Sequence, residues 1–394
     1  MNVIRGCAWL FALGGLLPLV PGGHASPICC EGERGLPLLQ QFGEAKIVIL
    51  GHFENAKPAA NGVDGGSSEL VIERVYKDHE MIKGMTRITL PRYIADSKTK
   101  FIIFCDVYKG KIDAYKGTAL VNEKEMLRYV DGAMKLKDRP PAERLRFAFD
   151  FLNSPEVEVA MDAYREYARS DYNDYKEMAK KLPAEKLGTW LEDSKTPTHR
   201  YGLYATLLGH CGNSKHAELI RAIIEDPEKR RGSGLNGLLM GYAMLERPKG
   251  WIYLKDLVRD REKPFLVRHA GLQTMRFLND YRLDLVNPKD PAVAKEEIVK
   301  GVAAIMSVPD MADFSIEELR KWKRWDYCES IIKLFGQKDY GTPFVKKAIL
   351  RYSLQCETER ARAFVKEQRE LNAEWVDDIR ELLELETKPA PASK

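Results

Sequence analysis

The sequence has few of the residues and motifs that mark a chemical activity. Seven histidines and seven cysteines are scattered through 394 residues, too thinly for a Cys/His metal scaffold to be read from spacing. There is no Gly-x-Ser-x-Gly elbow, no Gly-x-x-x-x-Gly-Lys phosphate loop and no His-Glu-x-x-His pair. "NGVDGG" (61–66) has too few carboxylates for a calcium loop. Charge of one sign is also lacking. Lys and Arg number 62 against 58 Asp and Glu, and a net +4 gives no basic stripe of the kind a nucleic acid requires. These absences predict a non-enzymatic protein with no cofactor, no metal and no nucleic-acid partner.

One long apolar run is present, and it lies at the N-terminus. Arg5 precedes the uncharged "CAWLFALGGLLPLV" (7–20), and "GGHA" (22–25) places small residues at the −3 and −1 positions of a cut after Ala25. This is the layout of a signal peptide, too short to favour a membrane span. The expected protein is therefore exported, periplasmic or extracellular, and soluble after cleavage near Ala25, with no membrane span in the mature chain. Cys7 leaves with the leader. Cys29, Cys30, Cys105, Cys211, Cys328 and Cys356 remain, and an oxidising compartment permits disulfides among them. The expected bridge joins Cys29 or Cys30 to Cys105, with Cys211, Cys328 and Cys356 as buried thiols.

Two periodicities divide the rest. "KIVIL" (46–50), "SELVIERVY" (68–76), "TRITL" (86–90), "KFIIFCDVY" (100–108) and "GTALV" (117–121) read as five strands, with turn-rich links between them that include 108–117. Helices are expected at 35–45 and from Glu123 to Leu136. After the linker "KLKDRPPAE" (135–143) apolar residues recur at intervals of three and four to the end. Ser154, Thr196 and Thr342 each precede a proline, a capping hydroxyl before Pro at the first helical position, and Lys263 with Pro264 is a weaker copy. Just inside these starts come "VEVA" (157–160), "HRYG" (199–202), "VRHA" (267–270) and "VKKA" (345–348), with "GLNG" (234–237) as a degenerate copy.

Paired early cysteines followed by "LLQQFGEAKIVILGHFENA" (38–56), "LVIERVYKDHEMIKGMTRITLP" (70–91) and "KFIIFC" (100–105) resemble the opening of netrin-like domains, the family that includes tissue inhibitors of metalloproteinases. The resemblance implies an OB-type barrel. Those inhibitors chelate the protease zinc through a free N-terminal cysteine in a Cys-x-Cys pair. Here the cysteines are adjacent and the expected mature terminus is Ser26, which weakens that function. The helical copies resemble HEAT repeats, in which V-R-x-A is characteristic of the second helix. The expected fold is α+β and multidomain: a small OB-like β-barrel over 26–138, an all-α HEAT-like solenoid over 139–386, and a disordered tail over 387–394. This domain order resembles that of secreted bacterial proteins.

Aligned on the helix starts, "PTHRYGLYATLLGHCG" (197–212) loses its look of a metal site. His199 shares a slot with three valines, His210 shares one with Ala168, Leu278 and Cys356, and Cys211 falls at a helix exit before Gly212. With His216 they read as packing residues. Arg200, Arg268 and Lys346 share another slot and form a candidate basic ladder for an acidic ligand, or for pairing with acids of adjacent units. Trp322, Arg324 and Trp325 in "RKWKRWDY" (320–327) are a candidate aromatic-basic patch. The alternative is an amphipathic helix capped by Ser315 and Glu318 that buries a tryptophan. "YREYARSDYNDY" (164–175) reads as tyrosines that pack. The functional expectation is an exported binding scaffold that engages a protein partner or other ligand through its helical surface. Two alternatives stand beside it: an inhibitor-like module acting through the barrel, and an enzyme with an unrecognised site.

Overall fold

A computed structural model describes residues 35–59, 65–95, 97–231 and 234–387. It is α+β: a five-stranded antiparallel sheet near the N-terminus, and seventeen α-helices among the described residues, all but one after the sheet. The strands are β1 (Ile47–Lys57), β2 (Ser67–Lys77), β3 (Arg87–Leu90), β4 (Ser97–Tyr108) and β5 (Lys111–Ala119), in the order β3-β2-β1-β4-β5.

The unbroken apolar run that opens β1 follows from burial on both faces. Ile47, Ile49 and Phe53 join Leu70, Ile88, Leu90, Ile103 and Cys105 in one core. Val48 and Leu50 point the other way with Ile102 and Phe104, and the Leu38–Glu44 helix lays Phe42 edge-on to Phe104, ring centroids 5.5 Å apart. β3 and β5 are the two edges and no ladder joins them, so the sheet is open where a closed barrel was expected. β3 offers only four residues for such a seam. The link expected at 108–117 is instead a tight hairpin. Lys109 and Gly110 both have positive φ (49° and 71°), the conformation a two-residue turn needs, so β5 begins at Lys111.

The chain divides into two compact units between Met311 and Ala312, inside the stretch that periodicity reads as one helical array. In the larger unit, Asp162 ties the helices around the sheet together. The Leu38 N–H and the Tyr129 hydroxyl donate to its two oxygens, each at 2.8 Å. The helices Tyr201–Cys211, Leu235–Leu245 and Phe265–Tyr281 pack one on the next, and Ser214–Glu225 and Lys249–Arg259 pack against the Leu235–Leu245 helix. At two of the expected small-residue positions backbones meet: Gly202 and Gly237 leave no room for a Cβ on either side. Of the three expected capping hydroxyls, Thr342 caps its helix by accepting the Val345 N–H at 3.3 Å. Thr196 does not cap, because a separate 3-10 turn, Thr198–Arg200, precedes the Tyr201 helix.

The smaller unit contains Ala312–Lys321, Cys328–Ile332, Pro343–Gln355, Glu359–Leu371 and Ala373–Thr387. Ser315 and Glu318 lie buried within the first of these helices and do not form the expected capping box. Glu317 receives Arg351 Nε at 2.7 Å and Arg320 Nε at 2.8 Å, and both arginines also reach Glu386. No helix among the described residues is long and apolar enough to cross a membrane. The expected leader, Cys29, Cys30 and residues 388–394 lie outside the described residues.

Candidate functional site

The ends of four helices in the larger unit enclose a polar pocket of about 340 Å³. Lys176, Glu177 and Lys180 come from the end of Tyr172–Ala179, a helix fixed by a capping box between Asp171 and Asp174. His210 comes from the last turn of Tyr201–Cys211, Arg247 follows Leu235–Leu245, and Arg282 and Asp284 follow Phe265–Tyr281. Tyr172 forms the apolar wall. It is fully buried, with Phe277, Tyr281 and His210 around its ring at centroid distances of 4.7, 5.4 and 5.5 Å.

The charges in this pocket do not balance. Arg282 binds Asp284 through Nε (2.8 Å) and Nη2 (2.9 Å) and donates from Nη1 to the Tyr172 hydroxyl at 3.0 Å. Arg247 reaches the same carboxylate at 3.3 Å. Two guanidiniums thus share one carboxylate. Burial first, and then the Arg282 cation, lower the Arg247 pKa against the pull of Asp284. Lys180 is paired with Glu177, at 2.7 Å, while Lys176 holds only the neutral Asn173 amide oxygen at 2.7 Å. Four cations therefore face two carboxylates.

His210 lies among them as a neutral ring. Burial, followed by Arg282 and Lys180, pushes its pKa down to about 4. Its Nε2 is buried and makes no hydrogen bond. Two guanidiniums sharing one carboxylate, with a lysine held only by an amide beside them, make a cationic lining suited to an oxyanion.

No family model, no curated protein and no solved structure matches this chain. What the pocket can do therefore rests on its own residues.

The other candidate residues sit elsewhere. His199 packs edge-on to Tyr164, with centroids 5.4 Å apart. His216 closes a capping box, its Nδ1 accepting the Asn213 N–H at 3.1 Å. Cys211 bonds back to the Leu207 carbonyl, and burial pushes its thiol up to about 11. Among the described residues no group of three or more His, Cys, Asp or Glu is placed to hold a metal. Arg200 is buried and donates to the Leu152 carbonyl at 2.9 Å. Arg268 is also buried and clamps Asp310 at 2.8 and 2.6 Å. Neither guanidinium faces solvent. Lys346, in the smaller unit, lies over the Phe335 ring.

The aromatic-basic stretch is not one helix. Lys323 takes a positive φ of 56°, Arg324 is neutralised by Asp326 at 2.7 Å, and Trp325 packs edge-on to Tyr352. Cys105 is fully buried, and burial, then Asp113, push its thiol up to about 12. The tyrosines of 164–175 are buried, as expected of packing residues.

Asp162 and Glu166, four residues apart on one helix, both have raised pKa values, about 6 and about 7, with burial the main cause. Such a pair could signal acid–base chemistry. The space beside Glu166 is about 10 Å³, room for at most one water and not for a substrate.

Sequence reasoning placed His210 correctly on its helix and missed its company. Alignment of the copies on their starts sets His210 against Leu278. The Phe265–Tyr281 helix is longer than Tyr201–Cys211, 17 residues against 11, so the exits fall out of step. Aligned on the exits, "GHCG", "LERP" and "YRLD" each show a cation or histidine where the helix stops.

Proposed function

We propose that the protein is an exported, non-catalytic binding scaffold whose helical part grips an acidic side chain or chain end of a partner protein in the His210 pocket. The observation that carries this reading is the shared carboxylate: Arg247 and Arg282 divide Asp284 between them while the neutral His210 beside them has an unused ring nitrogen. A volume of about 340 Å³ suits one acidic group, not a fold. The successive packing of Tyr201–Cys211, Leu235–Leu245 and Phe265–Tyr281 supports the HEAT-like reading of this region. The five-stranded antiparallel order β3-β2-β1-β4-β5 supports an OB-like reading of the N-terminal part, as an open sheet and not a closed barrel. The inhibitor alternative rests on residues before 35, outside the described chain.

Calorimetric titration of the full mature chain with inorganic phosphate and with a short Glu-rich peptide tests the proposal. Both probes should bind, and Arg247→Ala should weaken them roughly tenfold or more, because a charge-assisted hydrogen bond is lost, while the melting temperature holds. No binding of either probe by the folded wild-type protein would overturn it. Equal binding by Arg247→Ala would do the same.

A further inference from the structure

The smaller unit holds two cysteines on one hydroxyl. Cys328 begins the Cys328–Ile332 helix, and Cys356 caps the end of Pro343–Gln355, the helix it packs against. Both are buried. Thr358 caps the next helix, its Oγ1 accepting the Ala361 N–H at 3.2 Å, which fixes that oxygen in place. Cys328 Sγ lies 3.1 Å from it and Cys356 Sγ 3.4 Å. The two sulfurs thus converge on a single oxygen. Burial first, with the Cys356 thiol adding to it and Thr358 opposing, raises the Cys328 pKa.

We propose that Cys328 and Cys356 are a covalent cross-linking site that closes to a disulfide as the chain folds in contact with a disulfide-class oxidant. The chemistry is ordinary exchange. The thiolate of one cysteine attacks the oxidant's S–S bond, forming a mixed disulfide and releasing one thiol. The thiolate of the second cysteine then attacks the protein sulfur and expels the other thiol. The protein loses two electrons and two protons, and the oxidant is reduced to two thiols. In the folded state burial keeps Cys328 protonated and covered, which slows attack, so the reaction belongs to folding, when both sulfurs are reachable. A bridge here would staple the start of one helix to the end of its neighbour and close a loop containing the whole Lys338–Gln355 segment. The proposal does not depend on what the His210 pocket binds.

The test uses the full chain, refolded from denaturant in a mixture of reduced and oxidised glutathione. Remaining thiols are alkylated under denaturing conditions and the protein is digested without reduction. A peptide containing Cys328 joined to one containing Cys356 is expected as the main linked product involving either residue. The bridged protein should unfold roughly 5–10 °C above the reduced protein and above Cys328→Ala. Recovery of both residues as alkylated thiols, or their linkage mainly to other cysteines, would overturn the assignment. Cys356→Ala provides a second check: Cys328 should then be recovered as a free thiol, and a new stable bridge from Cys328 to another cysteine would count against a dedicated pair.

Discussion

The carbonyl oxygen of Gly202 occupies the place where a side chain on Gly237 would begin: a Cβ there would stand 2.4 Å from it. The Thr206 hydroxyl lies across the same contact, donating to Gly202 O at 2.8 Å and lying 3.3 Å from Gly237 O. The Tyr201–Cys211 and Leu235–Leu245 helices therefore meet backbone to backbone, and this close approach sets where their exits, and so His210 and Arg247, come to lie.

Gly237→Ala should destabilise the larger unit by about 2–3 kcal/mol, because overpacking outweighs the gain of about 1 kcal/mol in helix propensity. Gly43→Ala is the control: it also lies in a helix, its Cβ meets nothing within 4 Å, and it should be neutral or stabilising. Urea denaturation of both variants gives the comparison. Equal effects would remove the packing argument.

His210 gives stability a pH dependence of known sign. The unfolded ring titrates near 6.5 and the folded one at about 4. Between those values the unfolded chain takes up a proton that the folded chain does not. Stability is therefore complete above about pH 6.5 and falls as pH drops towards 4, by about 3 kcal/mol in the limit. Asp162 and Glu166, whose folded values are raised, act in the opposite sense. The difference between wild type and His210→Gln isolates the histidine. A difference curve that stays flat between pH 7.5 and 5 would contradict the burial of a neutral ring.

Asp162 is expected to matter as an acceptor more than as a charge. Asp162→Ala leaves the Leu38 N–H and the Tyr129 hydroxyl without their partner and should cost about 2–4 kcal/mol. Asp162→Asn keeps one acceptor oxygen for the Leu38 N–H and removes a buried charge, so at pH 7.5 it should lie within about 1 kcal/mol of wild type. Thermal melts of the two variants separate these roles.

In the smaller unit, Arg351→Met should cost about 2–4 kcal/mol, because it leaves Glu317 and Glu386 to Arg320 alone. Arg351→Lys should recover only part of this, since one ammonium cannot hold two carboxylates from the positions of Nε and Nη2. Glu386→Gln should be milder, as Glu386 is more exposed than Glu317. Chemical denaturation followed by Trp fluorescence reads all three.

Much of the fold was legible because its signals are local. A β-branched run buried on both faces reads as a central strand, and β1 is one. The start of Pro343–Gln355 was visible in Thr342 and Pro343, which cap it as their chemistry dictates. Thr196 shows the limit of such signals, because a short 3-10 turn displaced the helix start that the same dipeptide announced. The break at Lys323 was hidden as well: lysine gives no local sign of a positive φ, and the tertiary packing of Trp325 on Tyr352 goes with that break.

By itself the sequence determined the class of the protein. It set a strand-period region followed by a helix-period region, small residues where helices crowd, buried tyrosines in 164–175, and no family of catalytic motifs. Those are consequences of side-chain period and backbone sterics, which act over a few residues. Only the tertiary structure decided that Lys176, His210, Arg247 and Arg282 share one pocket, and that Cys328 and Cys356 share one threonine. Each of these groups depends on where helices of unequal length end. Chain spacing does not record that position, and packing fixes it.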